Sequence, residues 1–326
     1  MYRVVVTDDR HGFYHVERDI LAGVGAEIEI LPHGSPQDLL PFLIEADALL
    51  ANQLTLSAGT IECLERCRVI SRYGTGYDNV DIEAATRKGI WVTRVPDYCY
   101  PEVAEHALGL LLSSVRKIPS IHSRVREGAW NLHTGLGMSR IRGKVLGIIG
   151  YGGTGRSFHR VASGLGFSRV LICDHRVTKS DIAFGEGEIV DLSALLKESD
   201  IVSLHIPYRE ENRHLINAGA LKQMKPSAVL INTSRGGIVD TKALAHALKT
   251  GVIAGAGVDV FEKEPPGGLV DLTGCDNIVL SDHCAYYSEE SIIELKEKAA
   301  RNIADVLSGK TPRYPVNQVT SSKVAM

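Results

Sequence analysis

The sequence predicts an α/β protein built from two doubly wound parallel sheets. Three observations predict this class: short segments rich in Val and Ile recur along the chain, segments with helical spacing separate them, and the series runs twice. Strands that alternate with helices form parallel sheets covered by helices on both faces. At roughly 150 residues per domain, the 326 residues are enough for two domains.

Five strand-like segments lie in the first ninety residues. Each is short and bounded by Gly, Pro or Asp, which is typical of a buried strand. In chain order they are RVVVTD, AEIEIL, ADALLA, CRVISRYG and GIWVTRV. Helical spacing separates them, as in 81–88, where Gly89 follows the last turn as a C-cap.

A longer helix comes next. Pro101 suits its first turn, and apolar residues at helical spacing continue to about Lys117. We expect Pro119 to stop or kink this helix. The segment 122–142, which includes Trp130, has little periodicity and is interpreted as an extended connection or arm.

The second series begins at Gly143 and contains about six strands. They are KVLGIIG, RVLICD, DIVSLHI, AVLINTS, IAGAGVDV and NIVLSD, with helices near 154–165, 192–197, 218–223 and 242–249. This alternation predicts a second doubly wound unit. A last helix over 289–307 has no strand after it, so we expect it to pack on the first unit, and we expect the tail 320–326 to be disordered.

Composition and charge exclude several classes of protein. Hydrophobic residues make up 44% of the chain, charged residues 23%, and the formal net charge is −3. This balance lacks the basic excess that nucleic acid or an anionic membrane attracts. The start MYRVVVTDD lacks the regions of a signal peptide, and no apolar run approaches the ~18 residues of a membrane span. We expect a cytoplasmic protein that binds neither nucleic acid nor membrane.

The six cysteines predict neither a metal site nor a disulfide framework. Cys63 and Cys67 are the one pair close in sequence, no CxxC occurs, and no His/Cys group has zinc-site spacing. We therefore expect reduced thiols and no bound metal.

A glycine-rich segment opens the second series. Gly150, Gly152 and Gly155 form a G-x-G-x-x-G pattern between the apolar strand 145–149 and a helix. The first glycine suits a tight turn, the second lets a pyrophosphate approach the backbone, and the third lets helix and strand pack closely. The N-terminus of the helix then favours the anion. A glycine-rich turn that binds no ligand is the alternative.

An acidic residue supports the nucleotide interpretation. Asp174 ends the next strand, nineteen residues after Gly155. A carboxylate at this place accepts hydrogen bonds from the ribose hydroxyls of NAD and repels the 2′-phosphate of NADP. Arg176 is a contrary signal, because a guanidinium can neutralise that phosphate. We predict NAD(H) in preference to NADP(H).

Three later segments place reactive side chains at strand ends. Arg235 follows AVLINTS, Glu264 lies beyond IAGAGVDV, and His283 follows NIVLSD. These groups can converge at the carboxyl edge of the sheet. An arginine fork suits a 2-oxo acid's carboxylate, a histidine can protonate its ketone oxygen, and a carboxylate can fix the imidazole tautomer. Taken singly, Arg235 can form a surface salt bridge, Glu264 can be solvated, and His283 can cap a helix or lie in the core.

With these motifs, the chain resembles the D-isomer-specific 2-hydroxyacid dehydrogenases over nearly its whole length. The matching segments are RYGTGYDNVDIEAATRKGI, the glycine turn, INTSRGGIVD, GVDVFEKEP and SDHCAYYSEES. The resemblance implies a Rossmann NAD-binding domain over 100–285, with a dimerisation helix and arm. It also implies a discontinuous, flavodoxin-like substrate domain made of 1–99 and 286–326, and a homodimer.

The resemblance also implies roles for individual residues. Arg235 would anchor the substrate, Glu264 would be the histidine's partner, and His283 would be the acid/base. The cofactor would lie against Gly150, Tyr151, Gly152, Gly153, Thr154, Gly155, Asp174, His205, Pro207, Thr233, Ser234, Asp259 and Ala285. The substrate would lie against Gln53, Tyr73, Gly74, Thr75 and Gly76.

Two branches of that family share segments with the chain. RYGTGYDNVDIEAATRKGI resembles phosphoglycerate dehydrogenase, while VPDYCYPEVAEHAL and HCAYYSEES resemble the C-terminal-binding protein branch and its bacterial enzyme relatives. The leading prediction is NADH-dependent reduction of a small 2-oxo acid such as glyoxylate, hydroxypyruvate or pyruvate, reversible to the D-2-hydroxy acid. One alternative is an NAD(H)-sensing binding or scaffold protein with incidental dehydrogenase activity. Another is an unusual 2-oxo acid substrate within the same chemistry.

Overall fold

The computed structural model describes residues 1–10, 12–32, 34–130, 137–182, 187–266 and 270–319. The chain forms two compact units: a first unit of Met1–Cys99 with Ser288–Met326, and a second unit of Tyr100–Tyr287. The tail 320–326, for which we expected disorder, and residues 131–136 of the expected arm lie outside the described residues.

A five-stranded parallel sheet forms the centre of the first unit. Its strands are β1 (Tyr2–Val6), β2 (Ala26–Ile30), β3 (Ala48–Ala51), β4 (Val69–Arg72) and β5 (Trp91–Thr93), in the order β2-β1-β3-β4-β5. The helices are α1 (His15–Ala22), α2 (Pro36–Leu43), α3 (Ala58–Glu62), α4 (Ile82–Lys88) and α12 (Glu289–Leu307). The strand order is that of flavodoxin-like folds, which confirms the predicted class.

The strands and helices of the first unit follow from local sequence features. All four residues of β3 are buried, which explains why this strand is a continuous apolar run. The Asp81 side chain caps α4 by accepting from the N–H of Ala84, and Gly89 ends that helix in the left-handed region. The last helix, α12, is capped by Ser288 and packs against α1 and β4.

A seven-stranded parallel sheet forms the centre of the second unit. Its strands are β6 (Val145–Ile149), β7 (Arg169–Cys173), β8 (Gly187–Ile189), β9 (Ile201–Leu204), β10 (Val229–Asn232), β11 (Gly255–Val258) and β12 (Ile278–Leu280). Their order, β12-β11-β10-β9-β6-β7-β8, is the Rossmann order with one more strand. The expectation of about six strands missed β8, because its three residues are partly or fully exposed and form no apolar run.

Helices cover both faces of the second sheet. They are α5 (Tyr100–Arg116), α6 (Ile118–Arg126), α7 (Gly153–Ala162), α8 (Leu192–Glu198), α9 (Ala218–Gln223), α10 (Thr241–Lys249) and α11 (Val270–Thr273). One hydrophobic cluster lies on the side of α8, α9 and α10, and another on the side of α5 and α7. Within the described ranges, no helix is long and apolar enough to cross a membrane.

The prediction of an extended connection or arm over 122–142 is wrong for residues 122–126, which are helical. The chain turns at Lys117, with φ +55°, and then forms α6 as far as Arg126. Pro119 lies in the first turn of α6, where a proline's missing N–H breaks no helical hydrogen bond. Ile118, Ile121 and Val125 recur at helical spacing in α6, but the sequence expectation took Pro119 as a stop or kink and so missed this helix, which buries none of its residues.

Candidate active site

The turn between β6 and α7 requires glycine at two of its three predicted positions. Gly150 has φ +89°, and a Cβ there would lie 2.5 Å from the carbonyl oxygen of His205. A Cβ on Gly155 would collide with the carbonyl oxygen of Gly150. A Cβ on Gly152 would meet no described atom within 4 Å. The turn is therefore tight at its ends and leaves open space beside Gly152.

The N-terminus of α7 faces this turn. Gly152 is the N-cap residue, and no side chain within the described structure caps the helix. The first N–H groups of a helix have no partner inside the helix, and its dipole places positive potential there. An uncapped N-terminus beside open space can bind an anion such as a phosphate.

Asp174 lies beside the turn at the end of β7. One of its carboxylate oxygens accepts from the N–H of Tyr151 and the other from the N–H of Arg176, each at 2.9 Å. Burial raises the pKa of Asp174, but these hydrogen bonds and the neighbouring positive charges outweigh burial and hold its pKa below the usual range. Asp174 is therefore ionised at neutral pH.

The side chain of Arg176 is 61% exposed, and its Nε lies 3.7 Å from Asp174. Such a long, exposed ion pair is worth little. Breaking this ion pair costs little, so the guanidinium can turn toward another anion.

Glu264 and His283 form a close pair. Oε2 of Glu264 lies 2.5 Å from Nδ1 of His283, while Oε1 accepts from the N–H of Phe261 at 2.9 Å. Burial raises the pKa of Glu264, but the hydrogen bond and charge of His283, together with the charge of Arg235, lower it further than burial raises it. An ionised Glu264 assigns a proton to Nδ1, so Nε2 is the nitrogen that can exchange a proton with a ligand.

His283 has an unusual backbone conformation. Its φ of +57° lies in the left-handed region, which non-glycine residues seldom adopt. Its N–H donates to the carbonyl of Asp259 at 2.8 Å. The Asp259 carboxylate accepts from the N–H groups of Cys284 at 3.0 Å and Ala285 at 3.1 Å. Buried Asp259 thus holds the segment 283–285 and, through it, the conformation of His283.

Arg235 lies directly after β10, in a loop fastened by Asn232. The Asn232 side chain accepts from the hydroxyl of Ser234 at 2.8 Å and donates to the carbonyl of Arg235 at 3.0 Å. A Cβ on Gly236 would collide with the backbone of Phe261, so this loop packs tightly on the loop that leads to Glu264. Arg235, Glu264 and His283 are therefore brought to the same edge of the second sheet.

The other predicted cofactor residues lie at this edge too. Six of them follow strands: His205 and Pro207 follow β9, Thr233 and Ser234 follow β10, Asp259 follows β11, and Ala285 follows β12. Tyr151 lies between β6 and α7, and Thr154 lies in the first turn of α7. Their contacts with a cofactor stay a prediction.

Residues 108–285 match the family model described as the NAD binding domain of the D-isomer specific 2-hydroxyacid dehydrogenases. A glyoxylate reductase of Thermococcus litoralis is 39% identical over 313 residues, which cover 91% of this chain and 92% of that protein. The chain belongs to the D-isomer specific 2-hydroxyacid dehydrogenase family.

Among the solved structures similar to this dehydrogenase, one contains NAD and another contains NADPH. The D-lactate dehydrogenase of Aquifex aeolicus, complexed with NAD and lactic acid, is 27% identical with a TM-score of 0.85, over 94% of this chain and 96% of its own. An acyclic imino acid reductase in complex with NADPH and D-Arg is 27% identical with a TM-score of 0.87, over 97% and 100%. The fold alone therefore does not determine which cofactor binds.

The second unit of this dehydrogenase has polar atoms suited to a dinucleotide. Among the described residues, Nδ1 of His205 and Oγ1 of Thr233 are buried without a hydrogen-bond partner. Burial lowers the pKa of His205 to about 3, so its ring is neutral. Buried polar atoms without partners are costly, and a bound ligand can supply the partners. Together with the space beside Gly152, they fit a nicotinamide dinucleotide.

The predicted substrate residues all belong to the first unit. Gln53 follows β3, and its N–H donates to Asp8 at 2.7 Å. Tyr73–Gly76 follow β4, and the Tyr73 hydroxyl donates to buried Glu17 at 2.6 Å. Gly74 has φ +136°. Within the described chain, the N–H groups of Thr75 and Gly76 form no hydrogen bond, so this loop presents two backbone donors.

Sequence reasoning missed three polar residues beside Asp259. Oγ of Ser281 lies 2.6 Å from the Asp259 carboxylate, and Nε2 of His106 lies 3.4 Å from it. Cys284 adds a thiol at 3.9 Å. The position of His106 could have been predicted in part, because it follows buried Val103 by three residues on α5 and so lies toward the same side of the helix. Ser281 and Cys284 follow Asp259 by 22 and 25 residues, and this spacing alone predicts no contact.

Proposed function

We propose that this protein is an NADH-dependent reductase of a small 2-oxo acid such as glyoxylate, hydroxypyruvate or pyruvate, reversible to the D-2-hydroxy acid. The Glu264–His283 pair carries the proposal, because it places a proton donor at the edge of the sheet where the glycine turn and Asp174 suit NAD. The relative named glyoxylate reductase supports this substrate class.

The mechanism assigns one step to each side chain. NADH, when bound, supplies the hydride that reduces the ketone carbon. His283 donates the proton from Nε2 to the ketone oxygen, and Glu264 stabilises the imidazolium through Nδ1. Arg235 binds the substrate carboxylate through its guanidinium fork. We also propose Gln53 and Tyr73–Gly76 as substrate contacts, on the family resemblance and the two backbone donors.

His283→Ala tests the proposal directly. We expect kcat for NADH oxidation by a panel of 2-oxo acids to fall by about 10²–10⁴, the usual effect of losing a positioned acid/base. His214→Ala is the matched control, because His214 also has a left-handed backbone and pairs with a glutamate, Glu262, at 2.9 Å. Unchanged turnover in His283→Ala, or an equal loss in His214→Ala, would contradict the assignment.

The comparisons do not favour the scaffold alternative. The relative and the structures named above are called reductases or dehydrogenases. Turnover of no 2-oxo acid above background, together with NADH-dependent capture of a protein partner, would reverse this preference.

We also propose a homodimer. The helix α6 buries none of its residues and exposes Ile118 and Val125, and Trp130 just beyond it is 89% exposed. Large apolar side chains grouped on a surface are typical of an interface that a partner covers. Light scattering of the purified protein measures the mass, and a monomer at micromolar concentration would contradict the proposal.

A further inference from the structure

Four side chains from three parts of the second unit converge around the Asp259 carboxylate. His106 lies on α5, Asp259 follows β11, and Ser281 and Cys284 follow β12. The donor atoms of His106, Asp259 and Cys284 all lie within 4.8 Å of one another. The Ser281 hydroxyl lies 2.6 Å from Asp259 and 2.8 Å from Nε2 of His106.

These distances are near those of a metal site. Zinc bonds of roughly 2.0–2.3 Å in a tetrahedron place ligand atoms about 3.3–3.6 Å apart. Nε2 of His106 and Sγ of Cys284 lie 3.4 and 3.9 Å from the same oxygen of Asp259. Each of these two distances is therefore within a few tenths of an ångström of the tetrahedral spacing, and the donor atoms of His106 and Cys284 lie within 4.8 Å of one another.

The donor set selects a particular class of cation. A thiolate, an imidazole and a carboxylate together suit Zn²⁺ or Cd²⁺, whereas Mg²⁺ and Ca²⁺ prefer oxygen ligands throughout. Asp259 is fully buried, while the side chain of His106 is 27% exposed and Cys284 is partly exposed. A cation can therefore reach the cluster from solvent and lose most of its water there.

We propose that His106, Asp259 and Cys284 bind a thiophilic divalent cation such as Zn²⁺, with the Ser281 hydroxyl as fourth ligand, and that occupancy inhibits the enzyme. Binding releases the thiol proton of Cys284 to solvent, and Nε2 of His106 coordinates through its lone pair. No electron is transferred, so a chelator reverses the binding.

Inhibition follows from the hydrogen bonds that Asp259 accepts in the structure. The oxygen that would bind the cation now accepts from the Ser281 hydroxyl and the Cys284 N–H. A cation there displaces these donors and shifts the segment 283–285, whose first residue is His283. This part rests on the proposed function, whereas the binding of the cation does not.

A Cd²⁺ titration tests the site without any assay of activity. Cadmium bound to a thiolate has a charge-transfer band in the ultraviolet, and we expect one saturable band in the intact protein and in Cys173→Ser, a matched control with another half-buried thiol. We expect Cys284→Ser to lose the band. His106→Gln is a second, independent test, because it removes one ligand and leaves every thiol in place. We expect it to weaken Cd²⁺ binding, which can be measured even if Cys284→Ser fails to fold. A band unaffected by either substitution overturns the site.

Zn²⁺ inhibition of NADH oxidation tests the functional part. We expect EDTA to reverse it and Cys284→Ser to raise the half-inhibitory Zn²⁺ concentration by roughly 100-fold or more, because losing a direct ligand costs more than the 10–100-fold of an outer-shell partner. A Cys284-dependent cadmium band with no effect of Zn²⁺ on turnover overturns the inhibition alone. If no 2-oxo acid is reduced at all, the proposed function fails and the titration still decides the site.

Discussion

We propose that two residues directly after β7 determine the cofactor preference. Asp174 is ionised and held by two backbone N–H groups, so it repels a 2′-phosphate, whereas Arg176 is exposed and only weakly paired. We expect the intact enzyme to prefer NADH. We expect Asp174→Asn to raise the ratio of kcat/KM with NADPH to that with NADH by at least about tenfold, which corresponds to about 1.4 kcal/mol.

Arg176→Ala is the complementary variant for cofactor choice. Removing the guanidinium should reduce the residual use of NADPH and leave kcat/KM with NADH nearly unchanged, because the ion pair with Asp174 is long and exposed. A strong preference of the intact enzyme for NADPH would contradict the role given to Asp174.

We expect Glu264 to determine the acid side of the pH profile. Its pKa is lowered below the ordinary 4.5: burial raises it, but the hydrogen bonds of His283 and Phe261 and the charges of His283 and Arg235 together outweigh burial. When folding lowers the pKa of a carboxylate, its favourable pairing is fully present above the pKa of the unfolded chain. The pairing is lost as the pH falls through the pKa of the folded chain. We therefore expect kcat/KM for reduction to be maintained until the pH is below 4.5. Glu264→Gln should lower kcat by about 10²-fold or more at every pH.

At the scale of elements, apolar runs and caps predicted most of the fold. The runs at β6, β9, β10 and the other buried strands were recognisable because every face of such strands is covered. The strand β8 was not, since its residues are partly or fully exposed and form no apolar run. The helix α6 was not, because Pro119 in its first turn was taken as a stop or kink. At the candidate site, the placement of Arg235, Glu264 and His283 at one edge of the sheet could be predicted from strand ends, but the contacts of Asp259 depend on tertiary packing that spacing does not encode.

One buried ion pair joins two elements of the first unit. Lys296 on α12 and Glu17 on α1 are both fully buried, and Nζ lies 2.8 Å from the Glu17 carboxylate. Nζ also donates to the carbonyl of Phe13 at 2.6 Å, and the same Glu17 oxygen accepts from Tyr73. Removing one partner of a buried pair leaves an uncompensated charge, which costs more than the pair itself contributes.

Lys296→Met should therefore destabilise the protein by about 3–5 kcal/mol in urea unfolding. The double variant Glu17→Gln with Lys296→Met should cost less than this, because no charge is left buried. Lys298→Met is the matched control on the same helix, since Lys298 pairs with Asp97 and Glu294 at the surface. Its loss should be about 0–1 kcal/mol. Equal losses for the two lysines would contradict the argument.

At the scale of the whole molecule, the two units differ in continuity. The first unit needs two distant segments of chain, whereas the second is one stretch, Tyr100–Tyr287. The hydrophobic clusters on the two faces of the second sheet consist only of residues of the second unit, so this unit has a core of its own. The glycine turn and the strand ends proposed to hold the dinucleotide belong to this same stretch.

The isolated fragment 100–287 should therefore fold and bind NADH, and a change in nicotinamide fluorescence measures the binding. It should not reduce any 2-oxo acid, because Gln53 and Tyr73–Gly76 are missing.

Two glycine substitutions test whether NADH binding uses the turn between β6 and α7. Gly155→Ala forces a Cβ against the carbonyl of Gly150 and should weaken NADH binding at least about tenfold, a loss of about 1.4 kcal/mol.

Gly164→Ala makes the same chemical change just after α7, where a Cβ meets no described atom within 4 Å, and should leave binding intact. Circular dichroism of both variants separates lost binding from lost folding. If the fragment is unfolded, the second unit is not an independent domain. If Gly155→Ala binds NADH as well as Gly164→Ala does, the dinucleotide does not depend on the turn between β6 and α7, and the cofactor site must be reassigned.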